Sequence, residues 1–336
     1  MTGAALPRHG RAASVAPAAG LALLVLAFLW HISVGAKTIP LPVVARAILA
    51  YDPEIFDHLV VIDLRVPRAV SAVLVGAALS VAGALMQGVT RNPLAEPGLL
   101  GLLIGASFAV VLVVGVLDLA APGLIPLVAA AGALAAAAVV WGIALAAPGG
   151  PAPLTLVLSG AAVSAFLGAL VTIASLLDEE TFDQLRVWMT GSLAGPDRAV
   201  TLWALPWLLG GLVVALGLAR QMTALAMGDE VAAGLGLNVG RLKALALAAV
   251  VALTAASVAM AGPLGFVGLV VPHGVRLFAG QDYRLVLPWS AIAGAAYLLV
   301  VDVAARLVLA PVEISTGLVT ALLGAPIFVW LVKRRL

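Results

Sequence analysis

The chain has 336 residues, 63% of them hydrophobic and 10% charged, with a formal net charge of +2. Soluble domains are about 45–50% apolar and about 25% charged, and so few charges cannot cover this much apolar surface in water. The composition excludes a soluble globule and points to an all-α polytopic membrane protein; the absence of cysteine excludes a disulfide framework or a thiolate metal site.

In chain order, residues 1–15 read as a short tail carrying Arg8 and Arg11, and 16–336 as a single transmembrane domain. The two arginines, the run LALLVLAFLW and the small residues after it also fit a cleavable signal peptide. The apolar stretch is long enough to span, and more spans follow, so it is read as a retained first helix, with cleavage as the alternative. A spanning helix needs about 20 mostly apolar residues. Ten stretches qualify, near 16–35, 66–89, 97–117, 124–146, 154–177, 199–219, 242–262, 264–278, 285–306 and 315–332. The eighth is short, and GPLGFVGLVVPHG is broken by glycine and proline. Such a segment persists at membrane depth only when packed inside protein or lining a water-filled path.

The polar connections fix an expected orientation. With the N-terminus inside, the inner segments hold 11 of the 18 basic residues, as the positive-inside rule requires. The acids lean outward, with Asp52, Glu54, Asp57, Asp63 and the cluster DEETFD at 178–183. Both termini are expected in the cytoplasm. The stretch RNPLAEPGLLG (91–101) is then a cytoplasmic turn between spans two and three, where Asn92 and Pro93 end the helix. The 35 glycines and long alanine tracts permit close helix packing in lipid.

Several chemistries find little support. A P-loop needs Gly-Lys-Ser/Thr, and none of Lys37, Lys243 and Lys333 follows a glycine. Charges deep in a span mark ion or proton paths; the spans hold almost none, and Asp302 with Arg306, four residues apart, reads as an interfacial ion pair. GASF (105–108) lacks the last glycine of an intramembrane serine protease motif, and no HExxH zinc pair occurs. The loop 222–243 is more informative. Asp229 and Glu230 suit a helix N-terminus, Gly234 and Gly236 break that helix, and Asn238 can cap the next one. It reads as one or two short amphipathic helices at the inner face, either touching headgroups or forming a knob for a soluble partner. Arg65 and Arg68, before span two, suit forked carboxylate pairing or snorkelling anchors.

Together the stretches RVPRAVSAVLVGAALSVAGALMQGVTRNPLAEPGLLG, VWMTGSL, AMGDEVAAGLGL, GPLGFVGLVVPHGVRLFAGQDYRLVLPWSAIAGA, VDVAARL and GLVTALLGAPIFVWLV resemble the FecCD family. These are permease subunits of type II ABC importers for ferric siderophores, haem and cobalamin, and the resemblance covers residues 20–336. It implies a cobalamin-permease-like bundle of about ten spans in the bacterial cytoplasmic (inner) membrane. It also implies partners: a second permease copy (homodimer or pseudo-dimer), two cytoplasmic ATP-binding cassette subunits and a periplasmic or lipid-anchored substrate-binding protein, with no nucleic acid. The chain itself would be no enzyme and bind no cofactor or metal directly, ATP acting through the partners. The cargo implied is a ferric siderophore, moved by alternating access along the dimer axis. Haem or cobalamin is the alternative cargo, and an ion-coupled secondary transporter is the rival from another class.

Carried onto this sequence, the family pattern assigns binding-protein docking to Arg65, Arg68 and Arg306. ATPase coupling falls to Gly228, Asp229, Glu230, Ala233, Gly234, Leu235 and Gly236. The cytoplasmic gate falls at Pro148, Gly149, Gly150 and Pro151, which depart from the small hydroxyl residues the family leads one to expect. Gln87, Asn92, Pro93, Pro272 and His273 belong to its structural motifs.

Overall fold

A computed structural model describes residues 12–117, 119, 124–148, 150, 152–177, 186, 188–194 and 198–335. Gly149, Pro151 and the acidic cluster 178–183 lie outside the described residues. The described residues form helices and connecting turns, with no strand among them.

In chain order the helices are α1 (Ala12–Ser33), α2 (Leu41–Leu49), α3 (Phe56–Leu59), α4 (Val66–Thr90), α5 (Leu102–Val111), α6 (Ile125–Ala146), α7 (Pro153–Leu177), α8 (Arg198–Gly217), α9 (Ala219–Ala226), α10 (Asp229–Gly234), α11 (Val239–Ala261), α12 (Val267–Ala279), α13 (Tyr283–Leu307) and α14 (Thr316–Arg335). Each of the ten expected stretches is helical over most of its length. Six described helices are long and apolar enough to cross a membrane, and four shorter apolar ones accompany them.

The structure adds what apolar windows overlook. The connection after α1 holds α2, which opens with proline in its first turn, and α3, which runs through the π-helical stretch Val60–Arg65 into α4. Together these make one continuous 35-residue helix, Phe56–Thr90. The third expected span starts with a 3₁₀ turn, Pro97–Leu100, and a left-handed Gly101, so α5 begins only at Leu102. The expected break before the eighth span is present: Gly262 and Phe266 take positive φ of 68° and 67°, and α12 is 13 residues long. That irregular backbone is packed inside protein, with Ser192 N–H donating to the Ala261 carbonyl at 2.8 Å.

The α4 helix forms the centre of the bundle. In the long helix that contains it, 78% of the apolar window is buried, against 22% for both α7 and α8. It lies against α13, α11 and α12. Two glycines make this possible. A Cβ on Gly83 would sit 1.9 Å from the Gly268 carbonyl oxygen of α12, and one on Gly76 would sit 2.3 Å from that of Gly294 in α13. Close backbone approach in lipid depends on such small residues.

Candidate functional site

Polar chemistry gathers at the two ends of α4. The 25 residues of this helix rise about 37 Å at 1.5 Å each, so Arg65 and Arg91, which flank it, stand at opposite ends of the bundle.

At the first end α1 finishes at Ser33, leaving carbonyls without intrahelical partners. Arg65 and Arg306 occupy them. Arg65 donates to the carbonyls of Ile32 (2.9 Å), Ser33 (2.8 Å) and Lys37. Arg306 donates to those of Val34 (2.8 Å) and His31 (3.1 Å). A cation at a helix C-terminus also meets the negative end of its dipole. Both arginines are buried, at 7% and 4% exposure, so their guanidinium groups already hold the 31–37 turn.

Between them lies Asp302, with no exposed surface. Its Oδ2 accepts from Arg68 Nε at 2.8 Å and His31 Nε2 at 2.9 Å, and lies 3.4 Å from Arg306 Nε. Its Oδ1 accepts from Arg68 NH2 at 3.1 Å and the Thr316 hydroxyl at 2.8 Å. The expected interfacial Asp302–Arg306 pair is thereby corrected. The carboxylate is the hub of a buried network joining α1, α4, α13 and the start of α14. Arg68 alone reaches toward the surface, where NH1 donates to Glu313 at 2.8 Å, a residue whose side chain is 43% exposed. Sequence alone singles out Arg68 as an arginine before the second span, and Asp302 with Arg306 as a charged pair near the end of another. His31, Thr316 and Glu313 carried no such signal, because their roles depend on three separate elements meeting.

At the second end α9 packs on α4 and α13, and α10 follows it on the surface. Arg91 ends α4 in the left-handed region, φ 51°, and Asn92 Oδ1 accepts from the Leu94 N–H at 3.0 Å, closing the turn with Pro93. Asp229, at the start of α10, pairs with Lys243 at 2.7 Å and more loosely with Arg91 at 3.8 Å. Asn238 caps α11 by accepting from the Arg241 N–H at 2.9 Å. Across this anchored base Met227, Leu235 and Val231 are exposed at 70%, 66% and 42%, beside exposed Glu230, Ala233, Gly234 and Gly236, with Gly228 half-buried.

Nearby, Gln87 donates to the Gly268 carbonyl at 3.2 Å and accepts from Arg276, which in turn donates to the Tyr283 hydroxyl at 3.0 Å. Pro272 is buried within α12, and His273 follows it. Asp282 caps α13; hydrogen bonding from the Arg284 side chain leads in holding its carboxyl below the usual range. Of the expected gate residues, Pro148 and Gly150 are described, with Gly150 at φ 71°.

The FecCD transport family model matches residues 23–334. The chain is 41% identical over 317 residues to the iron(3+)-hydroxamate import system permease FhuB of Bacillus subtilis, covering 94% of this chain and 82% of that protein. It is 40% identical to the hemin transport system permease HmuU of Yersinia pestis, covering 82% and 83%. The fold also matches a solved ABC transporter described as of the metal-chelate type, in an inward-facing conformation. That match has a TM-score of 0.81 and 28% identity, over 94% of this chain and 98% of the other. With helices, motifs and relatives agreeing over nearly its whole length, the chain belongs to the FecCD transport family, whose relatives matched here are permease subunits of import systems.

Proposed function

We propose that the chain is the membrane-spanning subunit of an ATP-driven importer in the bacterial cytoplasmic membrane, and that it carries a ferric siderophore inward by alternating access. It works with a second permease copy, two cytoplasmic ATPases and an outer binding protein. The observation that carries this reading is the platform 227–236, whose apolar and small residues are exposed on a base fixed by the Asp229 ion pairs. An ATPase surface that seats Met227, Val231 and Leu235 desolvates them, and α10 passes its movement to Lys243 on α11 and Arg91 below α4. Identity to an iron-hydroxamate import permease supports the choice of cargo.

The outer surface is formed around Arg65, Arg68 and Arg306. Arg68 is the member from which an acidic partner takes a hydrogen bond most directly, by displacing exposed Glu313. Arg65 and Arg306 support that surface by pinning the 31–37 turn. The face of α7, which is largely unburied in one copy, is offered to the second copy across the transport path, near Pro148 and Gly150.

The test is co-reconstitution with the partner ATPase and binding protein, followed by ATPase and uptake measurements over iron chelates, haem and cobalamin. Stimulation by ferric siderophores is expected; stimulation by haem or cobalamin alone reassigns the cargo. Uptake driven by an ion gradient with no ATPase present overturns the reading.

A further inference from the structure

At the end of the bundle that carries α9 and α10, a cavity of about 300 Å³ opens between the C-terminus of α4, the last turns of α12 and the start of α13. Its polar lining comprises Gln87, Arg91, His273, Arg276, Gln281 and Tyr283, and among the described residues no carboxylate lines it. In this lining Arg91, Arg276 and Gln281 carry N–H donors and Tyr283 an O–H donor.

The guanidinium groups there lie at the C-terminal ends of α4 and α12, whose dipoles offset part of their charge, but among the described residues neither has a carboxylate within 3.5 Å. Arg276 is held by neutral partners, the Gln87 amide and the Tyr283 hydroxyl, with its guanidinium 5.5 Å from the Tyr283 ring centre. Arg91 meets a carboxylate only at 3.8 Å, and that carboxylate, Asp229, is bonded more closely by Lys243 at 2.7 Å. The nearby Asp282 carboxylate is engaged by Arg284 at 2.6 Å. Two guanidinium groups, with Lys243 balanced against Asp229, thus present an excess of positive charge to one small cavity. Planar guanidinium forks suit phosphate oxygens.

The rim is apolar. Leu277 lines the cavity, and Leu277 and Phe278 are exposed at 76% and 64%. Phe278 stands edge-on to Trp289, with ring centres 5.4 Å apart. Aromatic residues are enriched where acyl chains give way to headgroups, and basic pockets between spanning helices take anionic lipid headgroups. We infer that this cavity binds a phosphate oxyanion, carried by an anionic phospholipid headgroup or as free phosphate. The exposed Leu277 and Phe278 favour the lipid, whose acyl chain they can receive. Ala226, the last residue of α9, lines the same cavity, so an occupant touches the helix that leads into the coupling platform.

The experiment uses the full chain in detergent, with phosphatidylglycerol, phosphatidylcholine and inorganic phosphate as probes. Binding is read by native mass spectrometry and by ligand-dependent shifts in thermal unfolding. The variants are Gln281→Glu, which adds a carboxylate at an exposed position of the lining, and Arg91→Gln. Arg276 is left intact because it holds Gln87 and Tyr283. Phosphatidylglycerol is expected to bind more tightly than phosphatidylcholine, with each variant weakening it about tenfold, as one charge facing an anion at a partly wet site implies. If inorganic phosphate alone binds and is weakened by both variants, the site holds and its ligand is the free anion. Equal binding of the two lipids with no response to phosphate overturns the inference. So does anion binding that both variants leave unchanged while they unfold at the wild-type temperature.

Discussion

Asp302 has no access to solvent and two arginines against its carboxylate. A buried ion pair contributes little over a well-packed apolar substitute, yet removing one partner leaves the other charge uncompensated, at about 3–5 kcal/mol. Asp302→Asn keeps the shape and removes the charge, leaving Arg68 and Arg306 facing each other. The purified variant is expected to unfold with a loss of that order, read by denaturation in detergent; wild-type stability would contradict the network. Arg65→Glu sets a carboxylate against the carbonyls of Ile32, Ser33 and Lys37 and is expected to disrupt the turn itself. Docking is tested more cleanly at Glu313. Glu313→Gln removes the exposed acid that competes for Arg68 and is expected to tighten binding-protein affinity a few-fold at low salt, the scale of one exposed ion pair. Unchanged affinity argues against Arg68 as a contact. The sequence pointed to Arg65 and Arg68 as arginines before the second span, and to Asp302 and Arg306 as a charged pair near the end of another. It did not disclose that Arg65 and Arg306 turn inward, because the carbonyls they satisfy belong to the end of α1 and the turn after it, those of Arg306 more than 270 residues away.

Among the elements, the long helices were legible because an apolar stretch of about 20 residues leaves few alternatives in a bilayer. The break before α12 was legible from its glycines and proline. The α2 helix and the 56–65 extension of α4 were not, since so short or charge-interrupted a stretch carries no such hydropathic signature. The left-handed start of α5 at Gly101 was hidden for a different reason: one glycine among 35 gives no sign of which φ it adopts. The contact of α4 with α12 depends on a glycine that offers no room. Gly83→Ala brings a methyl group against the Gly268 backbone, and overpacking of this kind costs about 1–3 kcal/mol. Its unfolding temperature is expected to fall, whereas Gly234→Ala, with open space around the added carbon, is expected to leave folding unchanged. An equal response at both positions contradicts tight packing at Gly83.

Across the whole molecule, one long helix separates the Asp302 cluster from the 227–236 platform, which the proposed function assigns to an outer and an inner partner. Bulk on the platform tests that division of labour. Gly234→Trp leaves the bundle untouched and alters only the exposed face, so the variant is expected to insert and fold normally while ATP hydrolysis by the assembled complex no longer drives uptake. Wild-type transport in this variant contradicts the coupling role. The central claim, that the two ends of α4 face opposite aqueous compartments, is tested most directly by single-cysteine labelling, for which the cysteine-free chain provides a silent background. Lys37→Cys and Ala233→Cys, both at exposed positions, are treated with a membrane-impermeant maleimide in right-side-out and in inverted vesicles. The account predicts that Cys at 37 reacts only in the former and Cys at 233 only in the latter; reaction of both in the same vesicles contradicts it.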